Sequence, residues 1–242
     1  MTTAHTVARR EELSRNLHLV HERIGSACRQ AGRQPGDISL IVVTKFFPAS
    51  DVVALCQLGV SDIGENRDQE ASAKIGSLPS GVRQRLNVHF IGQLQSNKAH
   101  SLASYVDTVH SIDREKLVGA LDRAATSAGR DIGALVQVSL SGDTSARGRG
   151  GVPLDGVAEL ADSVAGAQHL TLRGLMAVAP LGVDPAAAFA ELAAVASQVR
   201  ADHPEATWIS AGMSADLEAA VANGATHLRV GSAILGSRPP FG

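Results

Sequence analysis

Short apolar runs rich in β-branched residues recur along this chain, and segments with helical spacing separate most of them. The first is SLIVVTK at 39–45; similar runs follow at 61–65, 87–92, 106–112, 134–140, 170–178, 207–211 and 227–231. Eight strands in such a rhythm predict parallel pairing, because each helix returns the chain to the end where the previous strand began. Parallel strands are covered on both faces and therefore read as continuous apolar stretches. A core of this kind needs aliphatic side chains, and 44% of the residues are hydrophobic while only 3% are aromatic. The economical solution is an α/β fold, a single (β/α)8 TIM-type barrel, with an open doubly wound sheet as its rival.

Ahead of the first strand, Leu13, Leu17, Val20, Ile24 and Ala27 fall at helical spacing and Gly32 supplies a stop. They predict an extra N-terminal helix over 7–31, packed on the barrel by its apolar stripe. Pro48 to Leu58 reads as a second helix, and 184–200 as another, with Asp184 as cap and Pro185 in the first turn. No linker or break in composition divides the chain, so 1–242 is expected to be one domain, with 1–35 as its N-terminal helical segment.

Several function classes are disfavoured. A formal charge of -2 gives no general attraction to nucleic acid or to an anionic membrane. Nowhere do eighteen apolar residues run together, and the opening MTTAHTVARREEL lacks the apolar stretch of a secretory leader. Cys28 and Cys56 stand far apart, without the spacing of a disulfide framework or a zinc site. The expectation is a cytoplasmic monomer without a metal.

In a barrel, functional groups gather where strands end. Lys45 ends the first run and shares a face with Val43 and Ile41. A partly desolvated lysine has more of its amine in the neutral, nucleophilic form, which imine formation with an aldehyde requires. A lysine that reaches out to water is the competing reading of the same run. Near the other end, WISAGMSADLEAA passes from strand to helix through Gly212 and Met213, with Ser214 placed to cap. The last strand closes on Gly231 and Ser232. Two such turns on the final two strands suit a phosphate group, although each is also an ordinary turn. Arg229, inside the last strand, calls for an anion, a ring nitrogen or a barrel acid. Gly64, Glu65 and Asn66 end the second strand, and Gln93, Asn97 and Lys98 follow the third; they are polar groups able to border a ligand or merely to cap.

Seven segments in order, TKFFPA, GENRDQE, HFIGQLQSNK, HSIDR, RGLMAV, GMSADLEAA and RVGSAILG, resemble the pyridoxal phosphate homeostasis proteins (the YggS/PROSC family) and span about residues 39–236. The resemblance implies an alanine-racemase-like barrel with pyridoxal 5'-phosphate bound to Lys45 as a Schiff base. It implies phosphate contacts from Ser214, Arg229, Gly231 and Ser232, with Asn66, Gly212 and Met213 around the pocket. It also implies a carrier in vitamin B6 and amino- and keto-acid homeostasis, with PLP-dependent apoenzymes as recipients and no established turnover. Two departures stand out. Arg67 replaces the family's tyrosine, and TSARGRGG at 144–151 replaces a Ser-Lys-Ser-Gly loop, leaving Arg147 or Arg149 to keep its charge.

A racemase would need a second acid–base group facing the lysine. The only tyrosine, Tyr105, precedes the fourth strand and is expected at the far end of the barrel; the chain ends at 242 without a further domain to supply another. Carriage is therefore favoured, with a PLP-dependent racemase and a cofactor-free Schiff-base aldolase as rivals.

Overall fold

The computed structural model describes residues 3–140 and 150–237. Eight strands form a closed barrel in sequence order: β1 (Ser39–Val43), β2 (Asp62–Glu65), β3 (Asn87–Phe90), β4 (Thr108–Ile112), β5 (Ile132–Gln137), β6 (Leu170–Met176), β7 (Trp208–Ser210) and β8 (His227–Val230). Every pair is parallel, and β8 closes on β1 with Val230 opposite Val42. All strands thus end at one mouth. The expected fold is the observed one.

Ten helices accompany them among the described residues: α1 (Thr3–Gln30), α2 (Ala49–Gln57), α3 (Asp68–Gly76), α4 (Ser80–Arg83), α5 (Ala99–Ala103), α6 (Glu115–Ala128), α7 (Val157–Ala165), α8 (Pro185–Asp202), α9 (Leu217–Ala222) and α10 (Ser232–Leu235). The main core lies between strands and helices, where Val42, Ile63, Val88, Val109, Val136 and Leu228 are buried against Leu55, Leu117, Leu121 and Phe189. No described helix is long and apolar enough to cross a membrane.

The strands are generally shorter than their apolar runs: most runs lose their last residues to the loop at the mouth, whereas β2 and β4 begin one and two residues later than theirs. β5 is displaced instead, beginning at Ile132 rather than 134. Gly133 looks like a turn residue in sequence. In space a Cβ there would stand 2.9 Å from Thr108 Oγ1, so the glycine permits close approach of β4 and β5.

The N-terminal helix buries Leu13, Leu17, Val20, Ile24 and Ala27, as their spacing predicts. It also carries three polar residues seven apart, hence on one face two turns from each other. Arg9 donates to the carbonyl of Leu235 at 3.0 Å, Asn16 to that of Ile234 at 2.9 Å, and Arg23 to that of Ser214 at 3.2 Å. Just beyond the helix, Arg33 donates to the carbonyls of Val221 and Ala225 at 2.9 and 2.7 Å. The helix is therefore a clamp on the last two strand–helix units.

Candidate functional site

The chain leaves β1 at Val43 and turns through Thr44–Phe47 into α2. Lys45 sits half-buried in this turn, and Phe46 takes a left-handed φ of 71°, unusual for a residue with a bulky side chain. A buried network holds that geometry. Lys74 of α3 donates to the Thr44 carbonyl at 2.8 Å, to Glu65 Oε1 at 2.7 Å and to Glu70 Oε1 at 3.2 Å. Thr44 Oγ1 donates to Glu65 at 2.6 Å, and the Phe46 amide donates to Glu70. The peptide bonds on both sides of Lys45 are thus pinned from one helix. Burial pushes the Glu65 carboxyl up, with Lys74 and Thr44 opposing it. Glu65 does not border the mouth, as its position in the sequence suggested; it turns outward beneath α3, where Lys74 meets it. Lys74 escaped notice in the sequence, although its i+4 spacing from Glu70 was a signal.

Asn66, at the end of β2, lines a cleft with Asp68, Phe90, Gln93 and Lys98. Its Oδ1 is buried and has no hydrogen-bond partner among the described residues. Asn97 is exposed, and Lys98 pairs with Asp68 at 3.6 Å. Tyr105 was expected far from this mouth. Its backbone does precede β4, but its hydroxyl reaches the first residue of α3, donating to Asp68 at 3.3 Å. Burial and the Asp68 carboxylate push this phenol well above its ordinary range, so it stays protonated.

The final two turns meet as anticipated, with one correction. Gly212 has φ 90°, and a Cβ there would stand 2.5 Å from Ala220 Cβ and 2.8 Å from Leu228 Cδ2; only glycine fits. Asp216, not Ser214, is the N-cap of α9, and its carboxylate accepts from the Met213 amide at 2.6 Å. The carboxylate reaches back over its own turn, which releases the serine hydroxyl. Ser214 Oγ accordingly faces Ser232 Oγ at 3.4 Å. Gly231 precedes α10 and lies against β1, where a Cβ would stand 3.1 Å from the Val43 carbonyl. The first amides of α10 have no carbonyl partner within their own helix.

Arg229 lies inside the barrel, only 4% exposed. Its guanidinium donates to Ser210 Oγ at 2.7 Å and to the Ala177 carbonyl at 2.9 Å, just past the end of β6. No barrel acid touches it among the described residues. Burial lowers its pKa to about 10 against the pull of Asp216, so it remains a cation at neutral pH. Ser210 leads on to His110 and His89, which the sequence reading missed; each is a histidine inside an apolar strand run. Arg147 and Arg149 lie outside the described residues. The loop re-emerges at Gly150, where a Cβ would stand within 3.7 Å of Asp113, Gln137 and Gln93 at the same mouth.

The family model for the alanine racemase N-terminal domain matches residues 22–239. A Mycobacterium tuberculosis (strain ATCC 25618 / H37Rv) protein named pyridoxal phosphate homeostasis protein is 42% identical, over 95% of this chain and 94% of that protein. The chain belongs to the pyridoxal phosphate homeostasis family. A family member from Escherichia coli K12 with the same name is 34% identical, covering 94% of this chain and 97% of its own length. The family's fold is also seen in PipY of Synechococcus elongatus PCC7942, solved with PLP bound: 32% identity, TM-score 0.78, 93% of this chain and 100% of that one.

Proposed function

We propose that this chain binds pyridoxal 5'-phosphate as a Schiff base on Lys45 and serves the homeostasis of that cofactor and of amino and keto acids, carrying it without turnover. The observation that carries this reading is a convergence at one mouth. Lys45 sits on a turn pinned on both sides, two serine hydroxyls stand 3.4 Å apart on the last two turns, and a buried arginine lies within the barrel.

These residues fit the group. Ser214, Gly231 and Ser232 would seat the phosphate, with Arg23, paired with Glu218, tethering the Ser214 carbonyl from behind. Gly212 and Met213 shape the turn that presents Ser214. Asn66 Oδ1, buried and without a hydrogen-bond partner among the described residues, offers an acceptor at the rim. Arg229 would face the ring nitrogen rather than the phosphate, since Ser210 and Ala177 hold it within the barrel.

When bound, the cofactor supplies an aldehyde that forms an imine with the lysine amine and a ring that withdraws electrons best when its nitrogen is protonated. A cationic Arg229 disfavours that protonation, and the Tyr105 hydroxyl is engaged with Asp68. Both features support carriage, as do the relatives' names; PLP-dependent apoenzymes are the recipients this reading implies. The test is the visible spectrum after mixing with PLP. The wild type gains a visible band that Lys45→Ala lacks; an identical band in both proteins removes Lys45 from the account.

A further inference from the structure

Five polar side chains cross the barrel interior in one line. Arg229 Nη1 meets Ser210 Oγ at 2.7 Å, and Ser210 Oγ lies 3.0 Å from His110 Nδ1. His110 Nε2 lies 2.9 Å from His89 Nδ1, and His89 Nε2 lies 3.0 Å from Asp62 Oδ1. β4 and β7 are not neighbours in the sheet, so the link between His110 and Ser210 spans the lumen. Asp62 begins β2 at the mouth opposite Lys45, so the line runs from one end of the barrel towards the other.

The ends of this line constrain its direction. A guanidinium only donates, and an ionised carboxylate only accepts. Burial works against the Asp62 charge, yet hydrogen bonds from His89, Ser61 and Asn87 prevail and hold its carboxyl at about 2. Burial, with His89 and Arg229 nearby, lowers the His110 pKa well below the ordinary imidazole value. If His89 is neutral like His110, one proton order satisfies every link. His89 puts its Nε2 proton on Asp62, its Nδ1 accepts the Nε2 proton of His110, and His110 Nδ1 accepts the Ser210 hydroxyl proton. Each bond then points from Arg229 to Asp62, and bonds aligned this way reinforce one another.

We infer that Asp62 is the distant counter-charge of Arg229, and that Ser210, His110 and His89 are positioning residues that hold the guanidinium in one orientation, that in which it would meet the ring nitrogen of the proposed cofactor. The effect on the ring presupposes the cofactor on Lys45, as proposed above; the proton order does not. A carboxylate placed directly on Arg229 would cancel much of its field and compete for its donors. Three neutral links supply a counter-charge without doing either. His227, the other histidine facing this space, stacks on Trp208 at 3.9 Å and shares a hydrogen bond with Thr226 at 2.8 Å, so it lies beside the line rather than in it.

Long-range proton–nitrogen NMR on the cofactor-free wild type tests the order directly. Near neutral pH, His89 and His110 are each expected as neutral rings protonated on Nε2, and both signals shift in Asp62→Asn. A proton on Nδ1 of His110, or a doubly protonated His89, overturns the inference. The positioning role is tested on PLP-loaded protein. His110→Leu breaks the line, and losing a hydrogen bond tied to a charge should raise cofactor release about tenfold and change the balance of its absorption bands. His110→Gln keeps one acceptor and one donor and should restore release to within roughly twofold of wild type. Equal behaviour of the two variants overturns the role. If His110→Leu does not fold, Asp62→Asn on the half-exposed end carries the same spectral test: an altered band balance supports the role, an unchanged one overturns it. A wild type that takes up no colour sinks the Lys45 assignment instead, and the NMR result alone then decides the proton order.

Discussion

Two buried polar networks flank the mouth of this barrel, and they solve the burial of a cation in opposite ways. Beneath α3, Lys74 pairs directly with Glu65 and Glu70, and its hydrogen bond to the Thr44 carbonyl fixes the backbone before Lys45. Inside the barrel, Arg229 touches a hydroxyl and a carbonyl, and the nearest carboxylate in its line lies three side chains away. The first arrangement spends its charge on holding a turn. The second keeps a cation whose field is not cancelled at short range. A direct ion pair suits a structural element, whereas a cation that serves a ligand, as proposed for Arg229, is better held by a hydroxyl and a carbonyl.

The largest expected effect breaks the outer network. Lys74→Met leaves Glu65, which is 0% exposed, without its cation, and removing one partner of a buried pair costs about 3–5 kcal/mol. Urea denaturation measures the loss, and Lys74→Met combined with Glu65→Gln should recover a large part of it. Recovery of nothing would show that Lys74 acts through packing rather than charge.

Acid should act first on the interior network. Burial lowers the His227 pKa to about 4, and His89 and Arg229 add to this against Asp62; His110 shifts the same way. Both groups bind fewer protons folded than unfolded. The His227 contribution is complete above the ordinary imidazole pKa of about 6.5 and disappears as pH falls towards 4, and that of His110 is lost in the same direction. For His227 the linkage amounts to about 3 kcal/mol. Urea midpoints taken on either side of that window measure it, and His227→Gln should flatten the slope. A slope unchanged by that substitution would move the acid sensitivity elsewhere.

The smallest effect concerns the clamp. Arg23 is partly exposed and shares its hydrogen bonds between Ser214 and Glu218, so Arg23→Ala should cost about 1 kcal/mol or less in stability. Its sharper readout is a several-fold weaker hold on PLP, because the Ser214 turn loses its tether. Unchanged retention would confine α1 to packing.

The barrel was legible because eight apolar runs and a low aromatic content leave few alternatives. Gly212, Gly231 and Arg229 were legible because a glycine or an arginine inside a strand or turn demands a reason. Other features depended on which way a side chain faces. Glu65 and Asn66 are adjacent in sequence, yet one turns under α3 and the other lines the cleft. The capping of α9 by Asp216 rather than Ser214 was decided by a carboxylate reaching back to the Met213 amide. The line from Arg229 to Asp62 joins five strands, and no local pattern could disclose it. Its histidines were visible only as polar residues in apolar runs.

The chain contains four lysines, Lys45, Lys74, Lys98 and Lys116, which makes one measurement decisive. Protein loaded with PLP is reduced with borohydride, digested and mapped by mass spectrometry. The account predicts the added phosphopyridoxyl mass on the peptide carrying Lys45. Label on Lys74, Lys98 or Lys116, with Lys45 unmodified, would contradict it.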